Sequence, residues 1–181
     1  VNVHTIIRRQ VEEYVMLLKR SLKNDSEFQN DSILYQIKIL WEKEFILKLD
    51  NKNETLYESL NWEKLYNELL DVANKLEVMQ LSGDSNDVLD YKNNSDKGLN
   101  VIAIGGHKLS RGLTLEGLSV SYFLRSPNIA VHDSIMQMGR WFGYRPGYDD
   151  LCRMYMNNQM QERFADFAEA EEEFTQELIT M

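Results

Sequence analysis

Leu99-Asn100-Val101-Ile102-Ala103-Ile104-Gly105-Gly106 is a mainly apolar, β-branched run that breaks on a pair of glycines. Such a run predicts a strand over Leu99–Ile104 that is covered on both faces, as strands are in parallel sheets flanked by helices. Upstream, Val78-Met79-Gln80-Leu81 predicts a short strand ended by Ser82-Gly83-Asp84. Downstream, Ser119–Leu124 and Leu151–Met156 predict two more strands, and Asp133–Trp141 and Gln159–Leu178 predict helices. In the last helix, Phe164, Phe167, Ala168, Glu171 and Phe174 mark the buried side approximately, and the carboxylates Glu169, Glu171, Glu172 and Glu173 read as a solvated face. Strands alternating with helices imply right-handed crossovers and an α/β fold with a parallel sheet. Open parallel sheets bind ligands beyond the carboxyl ends of their strands, which directs attention to the loop after Ile104.

The first part of the chain is helical in pattern. Val1-Asn2-Val3 reads as the end of a buried strand, and Thr5–Lys23 as a helix with Thr5 as its N-cap. Ile7, Val11, Tyr14, Val15 and Leu18 fall on one face of it, and Arg8, Arg9, Glu12, Glu13 and Lys19 on the other. Two further amphipathic helices follow, over Ser32–Leu49 and Asn61–Leu76, with no strand between them. They predict a helical hairpin, at about residues 31–76, inserted into a single α/β domain spanning 1–181. Their aromatic residues, Trp41, Phe45, Trp62 and Tyr66, are expected to be packing residues. Ser82–Lys97, rich in Asp, Asn and Ser, predicts an exposed loop with a turn near Val88–Tyr91.

Composition excludes several classes. No run approaches the ~20 apolar residues of a membrane span, and no signal peptide opens the chain. The lack of an initiator methionine and the strand-like start suggest a fragment of a larger protein. The single Cys152 rules out an internal disulfide and fits a reducing, cytoplasmic setting. His4, His107 and His132 are far apart and have no cysteine partners, so no zinc site is expected. A net charge of −9 argues against tight DNA binding by the chain alone, because affinity for DNA depends on neutralising phosphates.

The loop after Ile104, Gly105-Gly106-His107-Lys108-Leu109-Ser110-Arg111-Gly112-Leu113-Thr114-Leu115-Glu116-Gly117, holds four glycines in thirteen positions. Glycines allow sharp turns and close approach of the backbone to a ligand. Lys108 and Arg111 supply charge, and Ser110 and Thr114 supply hydroxyls, that suit phosphate or ribose. From spacing alone, a strained connection with two solvent-facing cations accounts for the loop equally well. No stretch matches G-x-x-x-x-G-K-[ST], so this is not a P-loop. A second segment, Gln137-Met138-Gly139-Arg140-Trp141-Phe142-Gly143-Tyr144-Arg145-Pro146-Gly147-Tyr148, places two arginines among glycines and aromatics. A guanidinium held in this way suits a γ-phosphate, where it stabilises transferring charge. Stacking of an arginine on Trp141 or Tyr144, with no chemistry, is the plainer alternative.

These segments carry a resemblance. Val101–Ile104 followed by Ser110-Arg111-Gly112-Leu113-Thr114 resembles motif V of superfamily-two helicases, and Gln137–Arg145 resembles their motif VI. Gly105–Tyr148 as a whole most closely resembles the Z-one (Z1) domain family, whose members carry an endonuclease label and occur joined to superfamily-two helicase regions. The resemblance implies a second RecA-like lobe of a helicase-type ATP hydrolase. Gly112 and Thr114 would then border the nucleotide near its ribose. Lys108, Ser110 and Arg111 would lie beside nucleotide, nucleic acid or the partner lobe. Gln137 and Arg140 would approach the γ-phosphate, with Arg145 as a second arginine finger. Thr114 stands where helicases often place Asp, Gln137 is one residue nearer Gly139-Arg140 than in motif VI, and Arg145 is two residues farther from Arg140. Arg140 is therefore favoured over Arg145. The first RecA-like lobe of the same protein would supply the phosphate loop and the acid for Mg²⁺. ATP and Mg²⁺ would then be cofactors of the full-length protein, not tightly held by this chain, and DNA would be its partner.

Two rival expectations stand beside this one. An endonuclease needs clustered carboxylates around a divalent cation. Glu42, Glu44 and Glu63 lie at solvent-facing helical spacing, and Asp87, Asp90 and Lys92 in the polar loop are the least poor candidates, so no metal ligands are assigned. A noncatalytic interaction module that keeps the motor fold is the other.

Overall fold

A computed structural model describes residues 2–24, 32–46, 61–82, 85–106, 108–109, 113, 115–123 and 147–180. The chain divides into two compact units, 1–109 and 110–181, so the passage from one to the other falls inside the glycine-rich loop.

In the first unit, α1 spans Val3–Lys23. Its N-cap is Asn2, whose side chain accepts from the His4 N–H at 3.1 Å. The strand-like start and the Thr5 cap expected from sequence are thus corrected: an Asn side chain is at least as good a cap as Thr, and Val3 is exposed within the first turn. Helix α2, Ile33–Trp41, is capped by Ser32 and continues as a π-helical turn over Glu42–Ile46. Helix α3, Trp62–Lys75, is capped by Asn61, which accepts from the Lys64 N–H at 2.9 Å. Leu22 of α1, Leu34 of α2 and Ala73 of α3 form one buried cluster, joined by Leu18, Ile33, Tyr66, Leu69 and Leu70. The helical pair therefore shares its core with α1. Trp41 and Trp62, 5.8 Å apart, close the α2–α3 contact, as packing aromatics do.

Expectations about helix faces fail at several positions. Tyr14, placed on the buried side of α1, is 64% exposed. Glu44, placed at solvent-facing spacing, is 6% exposed. The π turn explains the second failure: it closes i→i+5 bonds and rotates side chains away from their α-helical positions.

Strand β1, Glu77–Leu81, and strand β2, Val101–Gly105, pair in parallel from Glu77↔Val101 to Leu81↔Gly105. Helix α1 packs against both strands. Only Leu81 and Ile104 are fully buried here, so β2 is half-covered along most of its length rather than enclosed on both faces. The turn in the connecting loop lies at 91–97, later than expected, and ends on Gly98 at φ +68°.

In the second unit, β3, Val120–Tyr122, pairs in parallel with β4, Arg153–Tyr155. Helix α4, Asn158–Thr180, follows Asn157, whose side chain accepts from the Met160 N–H at 2.9 Å. Met160 is buried, and Phe123 meets Phe164 edge-on at 6.4 Å. The expected buried side of α4 ends early: Ala168, Glu171 and Phe174 are exposed. The described strands thus form two small parallel sheets. The parallel, mixed helix-and-strand character matches expectation, whereas a full RecA-like sheet is not seen among the described residues. The expected helix Asp133–Trp141 lies outside them.

Candidate functional site at the carboxyl end of β2

Strand β2 delivers its chain into the glycine-rich loop under a tight steric constraint. The parallel register sets Gly105 opposite Leu81, and a Cβ on Gly105 would lie 2.5 Å from the Leu81 carbonyl oxygen and 3.0 Å from the Leu109 side chain. A real side chain does not fit there, so the first glycine is a requirement of strand pairing. The loop then turns back, with the Leu109 N–H donating to the Gly106 carbonyl at 3.0 Å. A Cβ on Gly106 would lie 3.4 Å from His4 Nε2, which places the first turn of α1 beside the loop. Lys108 is exposed at this end of the sheet.

A polar cluster fixes α1 to the same end of the sheet. The Asp87 Oδ2 accepts from the Gln80 N–H at 2.8 Å and from Arg8 Nη1 at 3.1 Å. Arg8 Nε donates to Glu12 at 2.8 Å. The hydrogen bond to Glu12 is the main effect that raises the Arg8 guanidinium above its ordinary value; burial opposes it, and the charges of Asp87 and Glu12 add to it. Thr5 Oγ1 donates to the Gln80 side-chain oxygen at 3.4 Å, and Gln80 Nε2 donates to Ser82 Oγ at 2.9 Å. Arg8 is committed to two carboxylates, so it works as a latch between helix and strand. Helical spacing alone places Arg8 on the solvent side and gives no sign of this role. A polar pair one turn apart, Thr5 and Arg8, was the available signal.

The loop carboxylates that a nuclease would need have other partners. Asp87 belongs to the latch. Asp90 accepts from the Asn93 N–H at 3.1 Å and from the Asn93 side chain at 2.5 Å, which starts the turn at 91–97. These bonds, the backbone one first, hold the Asp90 carboxyl below its ordinary range. Among the described residues no three His, Cys, Asp or Glu side chains converge as a metal site.

Of the sequence-predicted site residues, Lys108 is placed. Ser110, Arg111, Gly112, Thr114, Gln137, Arg140 and Arg145 lie outside the described residues.

The family model described as Z1 domain matches residues 1–181. The chain belongs to the Z1 domain family. No curated protein and no solved structure matches it. The match of the Z1 model takes in the helices of the first unit as well as the glycine-rich loop, so the latch, the helical core and the loop belong to one family unit. No helix among the described residues is long and apolar enough to cross a membrane.

Proposed function

We propose that this Z1 domain is the C-terminal motor lobe of a superfamily-two helicase-like, nucleic-acid-dependent ATPase in a bacterial DNA-processing or defence protein. The observation that carries it is the exit of β2. A parallel strand ends on a glycine that strand pairing itself demands, and the chain continues into a loop bearing Lys108, Ser110, Arg111, Gly112 and Thr114. Parallel sheets present their ligand sites at this end.

In this scheme Arg140 meets the γ-phosphate and offsets charge as the phosphoryl group passes to water, Gln137 helps orient that water, and Arg145 is the second cation. Gly112, Thr114 and Arg111 border the nucleotide, while Lys108 and Ser110 face nucleic acid or the first lobe. That first lobe, elsewhere in the same polypeptide, brings the phosphate loop and the acid that holds Mg²⁺. ATP turnover by the isolated chain tests the division of labour. The expected result is no turnover and no tight ATP binding. Measurable turnover contradicts it.

A further inference from the structure

Helix α4 carries one apolar stripe, Met160, Phe164, Phe167, Phe174 and Leu178, at steps of three, four and seven residues. Its first part is covered, with Met160 1% exposed and Phe164 against Phe123. Its second part is open: Phe174 is 61% and Leu178 57% exposed, and every residue from Ala168 to Thr180 is exposed among the described residues. Glu171 sits within the stripe, between Phe167 and Phe174. From Phe164 to Thr180 the helix holds Asp166, Glu169, Glu171, Glu172, Glu173 and Glu177 and no lysine or arginine. Ala168, Glu171, Glu172, Thr175 and Gln176 line a shallow groove beside the stripe. An uncovered helix with like charges at i,i+4, as in Glu169–Glu173 and Glu173–Glu177, has little stability of its own in water.

We infer that the Phe174–Leu178 face docks a basic amphipathic helix of a partner protein. Apolar side chains of that helix cover Phe174 and Leu178, and an arginine or lysine beside them meets Glu171. Charge selects this occupant. A second copy of α4 would set carboxylates against carboxylates, and nucleic acid or an anionic membrane would be repelled.

The test titrates the 181-residue chain with a synthetic helical peptide carrying leucines along one face and arginines beside them. The control peptide has glutamate in place of arginine. The expected result is binding of the arginine peptide alone, weakening as salt rises. Phe174→Asp should lower affinity about tenfold or more, as loss of a buried aromatic anchor does, and Glu171→Lys should shift preference to the glutamate peptide. Absence of binding, or equal binding of both peptides, overturns the proposal. So does an unfolding transition lowered by Phe174→Asp without peptide, which would show the face already covered within the chain. A concentration-dependent dimer lost in Phe174→Asp would overturn it in favour of a second copy.

Discussion

Gly105 shows how much a single position can state about a fold. Its glycine is legible in sequence as a loop signal, but the reason for it is not, because the Leu81 carbonyl comes from a distant strand. Gly105→Ala should lower unfolding free energy by about 1–3 kcal/mol, since a Cβ meeting backbone forces the strands to shift. Chemical denaturation checks it, and an unchanged midpoint would contradict the pairing. Helical spacing alone assigns Arg8 to solvent, because it sees one helix at a time and the partner Asp87 lies across the fold. Arg8→Ala should cost about 1 kcal/mol, the scale of a part-exposed, charge-assisted contact, and should leave secondary structure intact by circular dichroism. Asp90 offers a pH readout. Its folded pKa lies below the unfolded one, so its contribution to the turn at 91–97 is fully present above the unfolded value and lost as pH falls through the folded value. The Asn93 amide resonance should therefore hold its position at pH values where a free aspartate is already protonating. A shift that tracks an ordinary carboxylate would contradict the hydrogen bonds.

At the level of elements, the sequence is most readable where the apolar period is unbroken, while the cap expected at Thr5 gives way to Asn2. The apolar stripe over Asn61–Leu76 sets α3 almost to the residue, and the structure adds the Asn61 cap that fixes its start. The β1 and β2 runs are legible, and their parallel pairing follows from the alternation of strands and helices. Legibility ended where a backbone irregularity shifted the period, as at the π turn that turns Glu44 inward. It also ended where burial depends on what lies opposite, as along α4, whose stripe continues beyond its cover to Phe174. The shared helical core makes its own prediction. Leu34 is fully buried, so Leu34→Ala should cost about 2–5 kcal/mol by thermal or denaturant unfolding, whereas Ile39→Ala, on an exposed residue of the same helix, should cost much less. Equal effects would contradict the packing.

On the scale of the whole molecule, the Z1 match spans the entire chain and assigns the family, and the parallel strand pairs agree with the α/β expectation. The proposed chemistry rests on the arginine segment and on the loop that leaves β2, whose residue types are legible in the sequence as motifs. With a net charge of −9, the isolated chain should not retain duplex DNA in gel-shift experiments at physiological salt, and tight binding there would place the DNA-contacting surface in this domain rather than in its partners. The most direct test is steady-state ATP turnover by the polypeptide containing both lobes, with and without Arg140→Ala. The motor account predicts a loss of about 10³-fold or more in turnover with ATP binding largely kept, the scale for removing an arginine that acts on the transferring phosphoryl group. Turnover unchanged by Arg140→Ala would contradict it.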